Sequence, residues 1–156
     1  MAGAVEPLVR IQREDFDIQS EVARLAAGRG DVGAVVTFTG YCRDEAGKLS
    51  ALELEHYPGM AEAEIARIAA QAIERWPLTG LTAIHRFGRI EPGGQIVLVV
   101  AASAHRQAAF DAASFLMDYL KTRAPFWKKE HLADGSSGQW VDAKEADDAA
   151  ARRWDA

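Results

Sequence analysis

Apolar residues recur along this chain in two periods, and the points where one period gives way to the other divide it into elements. Residues 8–12 are a short strand candidate. A helix over residues 18–27 follows, capped by Asp17, with Ile18, Val22 and Leu25 as its apolar stripe and Gly28 as its stop. Residues 33–42, GAVVTFTGYC, are rich in β-branched and aromatic side chains, and residues 49–57 alternate Leu52, Leu54 and His56 against Glu53, Glu55 and Tyr57. These two are expected to pair as neighbouring strands across the loop 44–48. After the Pro58-Gly59 turn, Ile65, Ile68, Ala69, Ala72, Ile73 and Trp76 recur at helical spacing until Pro77 ends the helix. Residues 81–87 and 95–102 are two further strands, joined by the turn Glu91-Pro92-Gly93-Gly94. A third helix is expected over 106–123, burying Phe110, Ala113, Met117 and Leu120. It stops before Pro125, because a residue preceding proline is driven out of helical geometry. Residues 126–132 and 139–141 then form a small hairpin across 134–138, and 144–154 reads as a terminal helix.

The resulting order, βαββαββαββα, mixes hairpins with crossovers and therefore favours an α+β sandwich over a doubly wound parallel sheet. A chain of 156 residues buries roughly 68–70% of its unfolded surface on folding. Residues 1–156 are expected to form one domain that needs no disulfide or metal to hold it. A formal net charge of -5 argues against general nucleic-acid binding, which needs a basic face over much of a domain, but leaves room for a local anion site. The single Cys42 cannot form an internal disulfide, the first ten residues lack the apolar core of a signal peptide, and the apolar run 96–102 is too short to cross a bilayer. A cytoplasmic location follows as the expectation, with no membrane contact.

Against this acidic background, residues 118–130, DYLKTRAPFWKKE, gather Lys121, Arg123, Lys128 and Lys129 around a Pro-Phe-Trp corner. Lysine has a chemical use that arginine lacks, since a partly buried amine can lose its proton and serve as base or nucleophile. Met117 and Lys121 stand four apart on one side of the third helix, so Lys121 begins beside the apolar face. Such an edge lysine can also simply extend its ammonium to water. Lys128, just beyond the Pro125 corner, can return towards the same spot, where two amines would depress each other's pKa.

Other signals are weaker. Residues 28–33 spell G-x-G-x-x-G, but a helix precedes them and a strand follows, the reverse of a dinucleotide site, so they read as a glycine turn. His56, His85, His105 and His131 are scattered and, with one cysteine, give no metal-ligand spacing. Cys42 has no base beside it and reads as an incidental thiol. Ser103-Ala104-His105-Arg106 closes a strand and opens a helix. Free N–H groups with His105 and Arg106 there can hold an anion, and simple capping by Ser103 explains the serine equally well.

Six segments in order, FTGYCR (38–43), LEHYPGM (54–60), RWPL (75–78), IHRFG (84–88), SAHR (103–106) and MDYLKTRAPFWKKE (117–130), make the chain resemble the large, catalytic subunits of molybdopterin synthase from Ile11 to Trp154. The resemblance implies an α/β-hammerhead-like fold with an additional small antiparallel β subdomain. It implies an enzyme that converts cyclic pyranopterin monophosphate to molybdopterin, with no metal and no cofactor in the step. Sulfur arrives on the thiocarboxylated C-terminal Gly-Gly of a small ubiquitin-like subunit, and two large subunits form the centre of a heterotetramer. Carried over by motif, Lys121 and Lys128 are the catalytic candidates. Phe38, Tyr41, Cys42, Arg43, His105, Arg106, Met117, Lys129, Glu130 and Lys144 fall in the substrate-binding set, with Arg123 and Lys129 in supporting or solvated roles. His105 and Arg106 belong to their own or to the neighbouring subunit's site. Where the family usually has arginine after WVDA this chain has Lys144, which keeps the charge and loses the bidentate fork. The competing reading is a non-catalytic adaptor that binds a ubiquitin-like tail and a phosphorylated pterin; a pterin or nucleotide carrier is a third.

Overall fold

The computed structural model describes residues 4–44, 46–122, 124–141 and 152–155. Its elements are β1 (Leu8–Gln12), α1 (Ile18–Ala26), β2 (Ala34–Tyr41), β3 (Leu49–His56), α2 (Met60–Arg75), β4 (Leu78–Arg86), β5 (Gly88–Ile90), β6 (Gln95–Ser103), α3 (Arg106–Thr122) and β7 (Phe126–Leu132). The apolar run of β6 organises the molecule. Its Val97, Val99 and Ala101 join the core beneath α2 and α3, while Leu98, Val100 and Ala102 join the core beneath α1. A strand covered on both faces loses the usual alternation and reads as continuous hydrophobic sequence. β6 lies inside a four-stranded sheet ordered β1-β4-β6-β2, in which β1 and β4 are parallel and the other pairs antiparallel.

A second, antiparallel sheet is ordered β5-β3-β7 and has its own small core of Cys42, Leu54 and Ile90, with Leu49, Leu52 and Ile96 against it. The fold is thus α+β with an additional small antiparallel β subdomain.

The expected pairing of β2 with β3 does not occur. β2 runs along β6, and its exit is held by the backbone of Cys42, which donates to Gly94 O (2.8 Å) and accepts from Gly93 N–H (2.7 Å). The Asp44 side chain then accepts the Leu49 N–H at 2.9 Å, starting β3 in the other sheet. β5 was absent from the expected elements because three residues, Gly-Arg-Ile, carry no period. It begins where the main sheet ends: Gly88 has φ +90°, and a Cβ there would stand 2.7 Å from Arg13 Nη1, so glycine alone fits this corner. β4 starts at Leu78, three residues before the expected boundary, with an irregular register between Leu78 and Gly80.

Phe110 corrects another expectation, since it is 56% exposed while Ala109, Ala112, Phe115, Leu116 and Leu120 face inward. Helix α3 packs on β2, β6 and α2 with that face, and Phe110 is turned away from it. Of residues 139–141 Val141 meets β7 as an isolated bridge, to Lys128, and a second bridge joins His131 to Ser137 within the turn. Most of the expected terminal helix 144–154, Lys144 included, and Arg123 lie outside the described residues. Within residues 152–155 the Trp154 carbonyl accepts from Arg75 at 2.9 Å, and the Trp154 indole meets Trp76 and Phe115 edge-on, both at 5.7 Å.

Candidate active site

Strand alternation sorts the basic cluster first. Lys128 and Glu130 share one face of β7 with Leu132, whereas Trp127, Lys129 and His131 take the other. Both backbone groups of Lys128 are bonded to Val141, at 3.1 and 2.9 Å, so Lys128 opposes Leu54 of β3 as a non-hydrogen-bonded pair, the kind in which side chains lie closest. This anchors the lysine stem, and the side chain lines the space beyond. Pro125 turns the chain between α3 and β7, so the last turn of α3 delivers Lys121 to the same space.

That space is a cleft of ≈ 490 Å³ between the two sheets. Tyr41, Cys42, Arg43, Lys48, His85, Lys121, Lys128 and Glu130 line it over an apolar floor that includes Leu52, Leu54 and Ile96. Among these, Arg43, Lys48, Lys121 and Lys128 face a single carboxylate, Glu130, which makes the cleft a concentrated cationic site in an acidic chain. Lys121 and Arg43 are exposed at the mouth and Lys128 is half-buried. Cys42 is 3% exposed, and burial pushes its thiol pKa up, so it contributes a wall and no thiolate.

His85 is the cleft residue that spacing rules missed. It was one of four scattered histidines, and its partner in space, Phe126, is far along the chain. Its ring stacks on Phe126 with centroids 3.8 Å apart and planes 17° from parallel. Nδ1 stands 2.8 Å from the Arg86 carbonyl, which fixes the proton on Nδ1. The ring opens on the cleft and is otherwise enclosed. Burial above all lowers its pKa to about 4, and the nearby charges of Lys121 and His56 add to this against the opposing bond to Arg86. The unfolded histidine takes up its proton near 6.5, so between these values the unfolded chain binds more protons than the folded one. The His85 contribution to stability is therefore complete above about pH 6.5 and falls by up to about 3 kcal/mol as pH drops towards 4. Urea midpoints measured across that window are expected to show this slope in the wild type and to lose it in His85→Phe. Lys48 is the other polar cleft residue outside the expected set; it precedes β3 in a loop read only as a connection.

Several expected site residues lie elsewhere. Lys129 is on the opposite face of β7, with its amine 5.6 Å from the Trp140 ring centre. Phe38 on β2 and Met117 on α3 belong to elements that pack together, but neither lines the described cleft. His105 and Arg106 are exposed at the start of α3, roughly 22 Å from Lys121 at 1.5 Å per helical residue. The turn that carries them is tightly set. Ser103 Oγ donates to Pro77 O (2.8 Å), Gly33 N–H donates to Ser103 O (2.9 Å), and a Cβ on Gly33 would lie 2.1 Å from Ala104 O. Among the described residues no group of three or more His, Cys, Asp or Glu is placed to hold a metal ion, and no helix is long and apolar enough to cross a membrane.

The chain matches the family model described as MoaE protein over residues 11–123. It is 73% identical over 154 residues to a molybdopterin synthase catalytic subunit of Mesorhizobium japonicum, covering 99% of this chain and 97% of that one. Among solved structures it resembles the molybdopterin biosynthesis MoaE protein of Burkholderia ambifaria, with TM-score 0.83, 48% identity and coverage of 96% and 99% of the two chains. It also resembles a molybdopterin synthase of Staphylococcus aureus, with TM-score 0.76, 31% identity and coverage of 84% and 94%.

Proposed function

The chain belongs to the MoaE protein family, and from that membership we propose that it is the catalytic subunit of a molybdopterin synthase. It takes sulfur from the thiocarboxylated C-terminus of a small ubiquitin-like subunit and places it on cyclic pyranopterin monophosphate to build the dithiolene of molybdopterin. The observation that carries this reading is the convergence of Lys121 from α3, Lys128 from β7 and Arg43 from the end of β2 on one cleft with an apolar floor. A cyclic phosphate needs cations, a flat ring needs an apolar wall, and ring opening needs a proton carrier. Arg43 and Lys128 serve the phosphate, the Leu52, Leu54 and Ile96 floor serves the ring, and Lys121 moves the proton.

His105 and Arg106 do not reach this cleft within one chain. In a central dimer of large subunits they complete the partner's site, which gives their distance from Lys121 a function. Lys129 is a supporting cation held on Trp140. Residues 1–156 act as one domain, supported by Ile96, which packs against both the main and the small core. A cytoplasmic location accords with Cys42 being a free thiol.

The test mixes this chain with thiocarboxylated small subunit and pyranopterin substrate and follows dithiolene formation. Product is expected in proportion to enzyme turnover. Binding of tail and substrate without product favours the non-catalytic adaptor instead.

A further inference from the structure

We propose that His85 is a further positioning residue of the cleft, a fixed acceptor whose Nε2, open in this structure, receives the Lys121 amine when that side chain turns into the cleft. This role rests on the reading of the cleft as the sulfur-transfer site. Three features of the geometry lead to it. The Nδ1 proton is committed to the Arg86 carbonyl, so the lone pair is on Nε2. The stack on Phe126 fixes the plane of the ring, and Phe126 also meets the His56 ring, tilted with centroids 5.9 Å apart, whose side chain is 7% exposed. His85 and Lys121 line the same cleft, and among the described residues no protein group is bonded to Nε2.

The charged and titratable groups around the ring show why neutrality matters. Lys121 approaches from α3, Lys128 and Glu130 from β7, Arg43 from the end of β2, Lys48 from the loop before β3, and His56 from β3, its ring in contact with Phe126. A protonated imidazole would add a cation to a cleft already rich in them and would have no lone pair to offer. Held neutral, it presents an acceptor that competes with no substrate anion for the cations. An exposed lysine on the last turn of a helix has many rotamers, and a rigid acceptor beside it selects among them.

Two variants separate this role from packing. His85→Phe keeps a ring against Phe126 and removes the acceptor; His85→Gln returns an acceptor without the ring. In the full assay with partner and substrate, His85→Phe is expected to lower kcat about tenfold, roughly what one hydrogen bond is worth, with KM little changed, and His85→Gln is expected to recover part of the loss. Nitrogen NMR of the free chain gives a readout that needs no turnover. At pH 7 it is expected to show Nδ1 protonated and Nε2 bare. The titration midpoint of His85 should rise by about half a unit in Lys121→Ala and stay fixed in Lys129→Ala. Wild-type kcat in His85→Phe overturns the proposal. So does a midpoint that ignores Lys121→Ala, or equal losses in both variants with the titration unmoved, which marks a packing role. If the wild type makes no product, the sulfur-transfer reading fails, while the titration still decides whether His85 and Lys121 are coupled.

Discussion

Lys121→Ala is expected to lower turnover by about 100- to 10,000-fold, the range that a positioned proton carrier contributes. Because Lys121 is exposed on the last turn of α3, the same change should move the urea midpoint by no more than about 0.5 kcal/mol in stability. The two measurements together separate chemistry from folding. Lys121→Arg then separates proton transfer from charge. A guanidinium keeps the cation but does not give up its proton near neutral pH, so the arginine variant should stay close to the alanine one if Lys121 moves a proton. It should recover if Lys121 only holds the phosphate. Lys128→Ala is expected to raise KM as well as lower kcat, since its stem is packed opposite Leu54 and its charge serves binding. An alanine variant at 121 that turns over at the wild-type rate removes the residue from the mechanism.

Local signals placed most of the elements; apart from β5, too short to carry a period, and the start of β4, the failures are matters of what lies next to what. The period of α2 and the continuous apolar run of β6 are consequences of burial on one face and on two, so both can be read from composition along the chain. The partner of β2 is sixty residues away in β6, and nothing in GAVVTFTGYC says so; proximity in sequence pointed to β3 instead. The same holds within the cleft. Lys121 and Lys128 were legible as a pair because a helix end, a proline corner and a strand start separate them by only seven positions. Alternation along β7 also contained the placement of Lys129 on the far face, although its charge drew it into the candidate set. His85 was illegible, since its role depends on a ring stacked across two sheets and a carbonyl bond, neither of which has a sequence period. Phe110 failed for a related reason: helical spacing defines a stripe but leaves open which of two neighbouring stripes meets the sheet.

Phe115→Ala is expected to destabilise the fold by about 3–5 kcal/mol, the cost of truncating a fully buried phenylalanine, and so to lower Tm by roughly 10 °C in a chain of this size. Phe115 is 0% exposed and sits among Trp76 at 5.3 Å, Tyr119 at 4.8 Å and Trp154 at 5.7 Å, with the Arg75 guanidinium 5.0 Å above its ring. These partners come from α2, α3 and residues 152–155, so one ring joins three parts of the chain. Its removal opens a cavity and also ends the edge-on contacts, each worth about 0.5–1.5 kcal/mol beyond burial. Trp154 should respond first, because among the described residues it would keep the Trp76 ring, the Arg75 bond and the contact with Asp118, with Arg153 and Asp155 bonded to Asp118, Ser114 and Tyr119. Tryptophan emission should therefore shift to the red at denaturant concentrations below the main transition. Phe110→Ala is the matched control on the same helix. With that ring exposed, the change in an isolated chain should stay within about 0.5 kcal/mol. Equal losses at 110 and 115 would place the buried face of α3 elsewhere, and with it the direction in which Lys121 leaves the helix.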